Sequence, residues 1–310
     1  MDRLAALLDH FHLAASVFNA GPLCYSSRHP AQAGTGFVHI LTGGTVQLEL
    51  ADGSQRRFDE PVLILLAAGD AHRFGPGPEG AETLCGSFRF GAGNLCPIHR
   101  ALPPLLAIPL QRLSGMSGLL ALMLEEMREA RCGRQASLDR LCELLVIRLL
   151  RYLMDAGEVD SGLLAGMGHP KLVKALIAMH DRPAADWSLS GLATAAGMSR
   201  ARFASVFRDT VGQPPAEYLA QYRLSLAKTL LRDGVALDAI ADRVGYSSPS
   251  ALAKAFRRRT GYSPLEWRRA DAEASIPQEA PEGMADARLG PGAGGGNRER
   301  SGAAPATSRK

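Results

Sequence analysis

A unit that occurs twice in the C-terminal third of the chain constrains the fold more than any other feature. Residues 189–218 and 237–267 share one pattern: a Leu-Ala or Ile-Ala pair, a glycine, two spaced apolar residues, a second glycine and a closing Pro-x-Glu-aromatic segment. The offset between the copies is 48 residues up to the first glycine and 49 residues after it. Such self-similarity predicts two copies of one supersecondary structure.

Each copy is typical of a helix-turn-helix unit. Gly197 and Gly245 stand where one helix must end and the chain reverse, a position that often needs positive φ. Ser199 and Ser248 follow, where a side-chain oxygen can cap the next helix. The residues predicted for the core face of that helix are Phe203, Val206 and Phe207 in the first unit and Leu252, Ala255 and Phe256 in the second.

The opposite face of each second helix is small, polar or basic, which suits a helix lying in a DNA major groove. The residues predicted to contact DNA are Ser199, Arg200, Ala201, Arg202, Ser205 and Arg208 in the first unit, and Ser248, Ser250, Ala251, Lys254, Arg257 and Arg258 in the second. A long apolar-periodic segment, 214–231, is predicted to connect the units as a helix. The two recognition helices should then enter adjacent major grooves about 10 bp apart.

The charge distribution favours the same partner. Residues 169–270 contain 16 Lys and Arg against eight Asp and Glu, whereas residues 1–168 contain 14 against 17. The positive charge is therefore concentrated around the repeat, as expected for a polyanionic partner. We predict that residues 169–270 form an all-α domain that binds double-stranded DNA.

The N-terminal part of the chain shows β patterning instead. Between about residues 16 and 90, short apolar runs are broken by Gly, Pro and Asp, and the alternation in 46–50 followed by Ala-Asp-Gly-Ser predicts a hairpin. Several short strands predict a small β-barrel or sandwich within residues 1–110. Leu and Met at helical spacing, divided by Gly133, predict an amphipathic helical hairpin at 111–157, a candidate dimerisation element. The predicted fold class is therefore α+β with several domains.

The remaining segments carry less information. Residues 158–168 are predicted to be a linker, and the Ala/Gly/Pro/Glu-rich segment 271–310 is predicted to be a disordered tail. The sequence shows neither a run of about 18 apolar residues nor the layout of a secretory signal, so we expect no membrane span and a cytoplasmic protein. The five cysteines show neither a paired framework nor a CxxC zinc spacing, and we expect reduced thiols.

The residues of the repeat resemble the AraC/XylS family of bacterial transcriptional regulators. The resemblance covers about residues 169–269 and includes the closing segment Gly261-Tyr-Ser-Pro264-Leu-Glu-Trp267-Arg268. It departs at Ala251, a position that is often aromatic or Thr-like in the family. The resemblance implies promoter binding, recruitment of RNA polymerase and a separate effector-responsive domain. A homodimer formed through the helical hairpin is a candidate assembly.

Residues 16–90 resemble the cupin-type sensor barrel of many of these regulators. The segment Ala67-Ala-Gly-Asp-Ala-His72 resembles the second cupin motif PxGxxH with Ala in place of Pro, while His39 and Glu49 occupy the region of the first motif. A full cupin site gathers three histidines and a carboxylate around a metal. Here His39, His72 and Glu49 are the candidate ligands, and the alternative is that the histidines are hydrogen-bonded barrel residues. No other cofactor is expected.

Two cysteines of the same domain form a candidate redox switch. Cys24 precedes the first strands, and Cys85 lies in a predicted strand beside Gly86. This arrangement is similar to cysteine-bearing, oxidant-responsive members of the family, with Cys96 as the alternative partner. The signal is therefore expected to be an oxidant or a small effector. The competing interpretation is that the cysteines are buried, inert apolar residues.

Three functions remain open from the sequence. The first is a DNA-binding transcriptional activator, not an enzyme, whose barrel responds to an effector or oxidant. The second is a cupin-type metal-dependent enzyme fused to a DNA-binding module, against which the missing histidine of the first motif argues. The third is a constitutive DNA-binding protein whose barrel only dimerises.

Overall fold

A computed structural model of the protein describes residues 2–113, 115–129 and 131–274. Most of the tail predicted to be disordered, from residue 275 onward, lies outside the described residues, whereas residues 271–274 belong to the last helix. Among the described residues, none of the helices is both long and apolar enough to cross a membrane.

The N-terminal part is built on one antiparallel sheet. The elements are α1 (Ala5–Phe11), β1 (Leu13–Pro22), β2 (Ser27–His29), β3 (Thr35–Leu50), β4 (Gln55–Phe58), β5 (Val62–Leu66), β6 (His72–Phe90), α2 (Pro97–Ala101) and β7 (Leu105–Pro109). The strands run in the order β1-β6-β3-β5-β7, with β2 paired to β6 and β4 paired to β3. This arrangement confirms the predicted cupin-like domain of antiparallel strands.

The sheet is buried on both faces, which explains its apolar runs. Every residue of β5 is buried, because alternate side chains enter two different cores. Ile64 and Leu66 line the interior of the sheet with Phe74, while Leu63 and Leu65 face the surrounding helices. The hairpin predicted after β3 is present.

Two helices predicted after the sheet are confirmed as α3 (Ser117–Arg128) and α4 (Arg134–Ala156). The prediction of a linker at 158–168 is wrong over its second half. This half forms α5 (Leu163–Gly168), whose Leu163, Leu164 and Met167 are buried among α4, α6 and α8. Three closely spaced apolar residues outweigh the glycines there, because their burial stabilises a turn of helix.

The C-terminal part is entirely helical. Its elements are α6 (Leu172–Asp181), α7 (Leu189–Ala195), α8 (Arg200–Val211), α9 (Pro215–Arg232), α10 (Leu237–Val244), α11 (Pro249–Thr260) and α12 (Pro264–Ala274). The pairs α7–α8 and α10–α11 are the two helix-turn-helix units, and α9 is the predicted connecting helix. The first unit shares one continuous apolar core with the sheet domain, whereas the second unit has its own.

Candidate DNA interface and sensor site

The second helix of each unit has the two faces that its sequence predicts. Phe203 and Phe207 of α8 are completely buried, as are Leu252 and Phe256 of α11. Of the predicted DNA-contacting residues, Ser199, Arg200, Ala201, Arg202, Ser205, Arg208, Ser250, Lys254, Arg257 and Arg258 are exposed, while Ser248 and Ala251 are half-buried. The structure thus collects the basic and small residues of each helix on its solvent side.

The turns depend on the glycines in the predicted way. Gly197 and Gly245 adopt φ of +61° and +75°, in the left-handed region. Gly245 also lies so close to the backbone of Ala184 that a Cβ atom there would be 2.7 Å from the Ala184 Cα. Ser248 caps α11 by accepting a hydrogen bond from the Ala251 amide at 3.1 Å. Ser199 stands at the N-cap of α8 but makes no side-chain capping bond. The prediction of a capping side chain is therefore wrong for Ser199.

An acidic residue that the sequence analysis did not single out lies on the outward side of α8. Ser205 Oγ donates a hydrogen bond to Asp209 Oδ2 at 3.1 Å, one helical turn away. The Arg208 Nε lies 3.8 Å from the other carboxylate oxygen. Asp209 therefore holds two of the predicted DNA-contacting side chains and lowers the positive charge of this face.

Side chains of α9 hold both units. Arg223 donates hydrogen bonds to the carbonyls of Pro183 at 2.7 Å and Ala185 at 2.9 Å, before α7, and to that of Gly245 at 3.4 Å, in the second turn. Glu217 accepts two hydrogen bonds from Arg259 at the end of α11, the longer at 2.6 Å. These bonds hold the pKa of Glu217 down at about 2. Neither role could be read from helical periodicity, because both arginines look like ordinary surface residues.

The sheet domain contacts the connecting helix α9 through α1. His10 Nδ1 lies 2.6 Å from the hydroxyl of Tyr222 on α9, and the Phe11 ring packs edge-on against the same tyrosine. The His180 ring also stacks on the Tyr222 ring, and His180 Nε2 lies 2.6 Å from the Tyr218 hydroxyl. Arg100 of α2 donates to Gln221 Oε1 at 3.0 Å. A displacement of α1 or α2 therefore acts directly on α9.

Three histidines meet inside the sheet domain, and we call them the histidine cluster: His29, His39 and His72. The Nε2 atoms of His39 and His72 are 3.1 Å apart, and His72 Nδ1 donates to the Asp70 carbonyl at 3.1 Å. The His29 ring stacks on His72 with centroids 4.7 Å apart. Burial lowers the pKa of all three rings, that of His29 to about 4, so they are neutral at physiological pH. His39 and His72 were predicted from the cupin motifs, whereas His29 lies outside both motifs and was not predicted.

Glu49 does not belong to this cluster, which corrects its assignment as a candidate ligand. The pairing of β3 with β6 is irregular at two places between residues 41 and 46, and at the first of them β3 contains one extra residue. This bulge reverses which side chains of β3 face inward. His39 therefore faces the interior with Phe37, whereas past the bulge Leu48 faces inward and Glu49 does not. The described residues supply no carboxylate or thiol to the group.

The two cysteines of the predicted redox switch lie apart. Cys24 is exposed, and its neighbour Leu23 bonds to the Ala81 carbonyl at 2.8 Å. Cys85 lies four residues beyond Ala81 along a regular stretch of β6, a distance of about 13 Å at the usual strand rise. A disulfide needs Cα atoms within about 7 Å, so this conformation does not permit the pair. Burial also raises the pKa of Cys85, and that of the alternative partner Cys96, to about 12.

This geometry defines a class of protein: a DNA-binding regulator that joins a cupin-like domain to two helix-turn-helix units. Comparison with known families agrees, since a family model described as Cupin matches residues 2–155 and one described as a helix-turn-helix domain matches residues 192–270. A protein of Streptomyces lividans described as an AraC-like transcription regulator is 31% identical over 244 residues, covering 77% of this chain and 80% of the relative. The chain belongs to the AraC-like family of transcriptional regulators.

The chain is also similar to two other proteins described as transcription factors. The RCS-specific HTH-type transcriptional activator RclR of Escherichia coli is 28% identical over 235 residues, covering 74% of this chain and 83% of the relative. The crystal structure of the DNA-binding domain of AdpA in complex with a target DNA is 32% identical, covers 36% of this chain and 99% of that chain, and has a TM-score of 0.33.

Proposed function

We propose that the protein activates transcription by placing α8 and α11 in successive major grooves of a promoter, under the control of a signal received by its cupin-like domain. The observation that carries this proposal is the connection of both units to α9. Arg223 bonds to the loop before α7 and to the turn of the second unit, and Glu217 bonds to the end of α11. Two recognition helices with a constant separation favour an operator with two half-sites about 10 bp apart.

The side chains proposed to read the operator are those on the outward faces. Across the described part of the chain, the ion pairs found do not include Lys254, Arg257 or Arg258. Their charges are thus free to meet phosphates and base edges. In α8, Arg200 and Arg202 lie at the helix start, while Ser205 and Arg208 must leave Asp209 to reach DNA. We therefore propose that α11 contributes more of the binding free energy than α8.

The route of the signal in this proposal is the contact between α1 and α9. Because the sheet domain and the first unit share a core, a change in the sheet domain alters the surroundings of Tyr222 and His180. Recruitment of RNA polymerase then completes activation. Assembly as a homodimer through α3 and α4 is favoured by two exposed leucines, Leu122 and Leu144, which are 46% and 38% exposed.

Oxidant sensing is the second candidate input, favoured by the similarity to RclR, which is named as an RCS-specific activator. Cys24 is the exposed thiol of the sheet domain and is the residue at which oxidation would begin. A bond to Cys85 would require displacement of the segment around Leu23.

The full chain tests the proposal directly. Selection from a pool of random duplexes should enrich a motif with two half-sites, and fluorescence anisotropy on that duplex then gives Kd for each variant. Lys254→Ala should weaken binding by about 1–3 kcal/mol at specific positions of the motif, whereas Arg257→Ala should weaken it evenly and reduce the salt slope by about one. Arg151→Ala, an exposed arginine of α4, is the matched control and should bind normally. Absence of an enriched motif, or equal loss with Arg151→Ala, would refute the assignment.

A further inference from the structure

We propose that the histidine cluster is a binding site for one divalent transition-metal ion of the zinc type. Three imidazoles converge inside the sheet domain with no carboxylate or thiol of the described residues among them. Imidazole nitrogen suits zinc, copper, iron and nickel, whereas calcium and magnesium require oxygen ligands. The three imidazole ligands therefore favour a transition metal such as zinc over calcium or magnesium.

The distance between two of the rings fits coordination. Zinc–nitrogen bonds of about 2.0–2.1 Å in a tetrahedral site place two ligand nitrogens about 3.3 Å apart. The Nε2 atoms of His39 and His72 are 3.1 Å apart. Because His72 donates its Nδ1 proton to the Asp70 carbonyl, its Nε2 carries a lone pair directed at His39. A carbonyl that orients the distal nitrogen is the usual support of a metal-binding histidine.

The third ligand comes from a strand that can adjust. The ligand atoms of the three residues lie within 4.8 Å of one another, so His29 must approach by about 1.5 Å to complete a site. It also has to turn out of its stack on His72, since parallel stacked rings cannot point at one ion. His29 ends the three-residue strand β2, which pairs with β6 and is only half-buried. His29 Nε2 lies 2.9 Å from Ser27 Oγ on the same short strand, so this movement also breaks that hydrogen bond.

This site differs from the cupin arrangement. Its third histidine precedes both motif regions, and the position of the usual carboxylate is not filled, since Glu49 faces away from the interior. Three neutral ligands leave the full charge of the ion and at least one coordination position for water or an anion. Phe18, the residue bulged out of β1, covers His29 and His39 and is 46% exposed. His39 and His72 are buried and His29 is half-buried, so the cluster approaches solvent on the side of His29 and Phe18.

Metal binding itself does not depend on the proposed DNA contacts, although a role of the metal as the signal rests on the proposed function. The test uses the full chain, freed of metal with a chelator and titrated with Zn²⁺ by calorimetry. Co²⁺ replaces Zn²⁺ in a second titration, because its visible absorption reports tetrahedral coordination and its near-ultraviolet bands report thiolate ligands. The variants are His29→Phe and His72→Phe, which keep an aromatic ring among the neighbouring phenylalanines but remove the nitrogens.

The expected result is one Zn²⁺ per chain, a tetrahedral Co²⁺ spectrum without thiolate bands, and a Kd raised about 100-fold or more in each variant. His12→Asn, an exposed histidine outside the cluster, should bind like the unchanged protein. Unaltered affinity in folded His29→Phe, thiolate bands, or no binding by the unchanged protein would each overturn the proposal. Anisotropy on the selected duplex, with and without Zn²⁺, separates this outcome from failure of the DNA-binding assignment.

Discussion

Glu217, in the first turn of α9, accepts two hydrogen bonds from the guanidinium of Arg259 at the end of α11. The pair joins residues 42 positions apart and connects the start of the helix that follows the first unit to the recognition helix of the second. It removes one of three consecutive arginines from the DNA face. Arg257 and Arg258 are left as the basic end of α11.

This ion pair should make the stability of the second unit depend on pH. The pKa of Glu217 lies at about 2 in the folded protein against an ordinary value of 4.5. A depressed pKa means that the stabilisation is complete above about pH 4.5 and is lost as pH falls through about 2. Because both side chains are partly exposed, Glu217→Gln should cost only about 1 kcal/mol at neutral pH. Urea unfolding should show this difference shrinking below pH 4.5. Glu143→Gln, which removes a pair between neighbours on one helix, should have almost no effect at any pH.

The two turn glycines should tolerate alanine to different degrees. Gly197 and Gly245 both have positive φ, which costs an alanine about 1–2 kcal/mol. A Cβ at Gly197 would meet open space, whereas one at Gly245 would press on the Ala184 backbone. We expect Gly245→Ala to lower the free energy of unfolding by about 3 kcal/mol and Gly197→Ala by about 1. Equal losses in denaturant unfolding would contradict the close packing of the second turn against residue 184.

Phe207→Ala should destabilise the first unit rather than abolish a DNA contact. Its ring is completely buried against Phe203 and Tyr218, so its removal should cost about 3–5 kcal/mol. Arg208→Ala, on the exposed face next to it, should change stability by less than about 0.5 kcal/mol and weaken DNA binding. Thermal unfolding and anisotropy on the same samples check both statements. A Phe207→Ala protein with normal unfolding and no DNA binding would show that the core and DNA faces of α8 are wrongly divided.

The thiols should divide into two classes towards a disulfide reagent at neutral pH. Cys24 and Cys132 are exposed, while Cys85, Cys96 and Cys142 are buried and have pKa values raised to about 12 by that burial. Reagent titration of the native protein should therefore show two fast thiols, and unfolding should reveal all five. Cys24→Ser and Cys132→Ser should each remove one fast thiol. Rapid modification of Cys85 in the native protein would contradict its burial and would favour it again as a disulfide partner of Cys24.

The repeated unit could be predicted from the sequence because its signals are local. Positive φ at Gly197 and Gly245 and the burial of Phe203 and Phe256 follow from turn chemistry and helical periodicity. The apolar run of β5 likewise predicts a strand. These features depend on residues within one or two helical turns of each other, so no knowledge of the rest of the chain is needed.

The composition of the sensor site was decided by tertiary structure alone. His29 joins His72 because β2 pairs with the start of β6, and Glu49 leaves the site because a bulge in β3 reverses which residues face inward. Arg223 binds both the loop before α7 and the turn of the second unit because α9 packs between the units. Each of these relationships joins segments distant in the sequence. Strand register and helix packing determine such contacts, since they follow from how the whole chain buries its apolar surface rather than from any local preference.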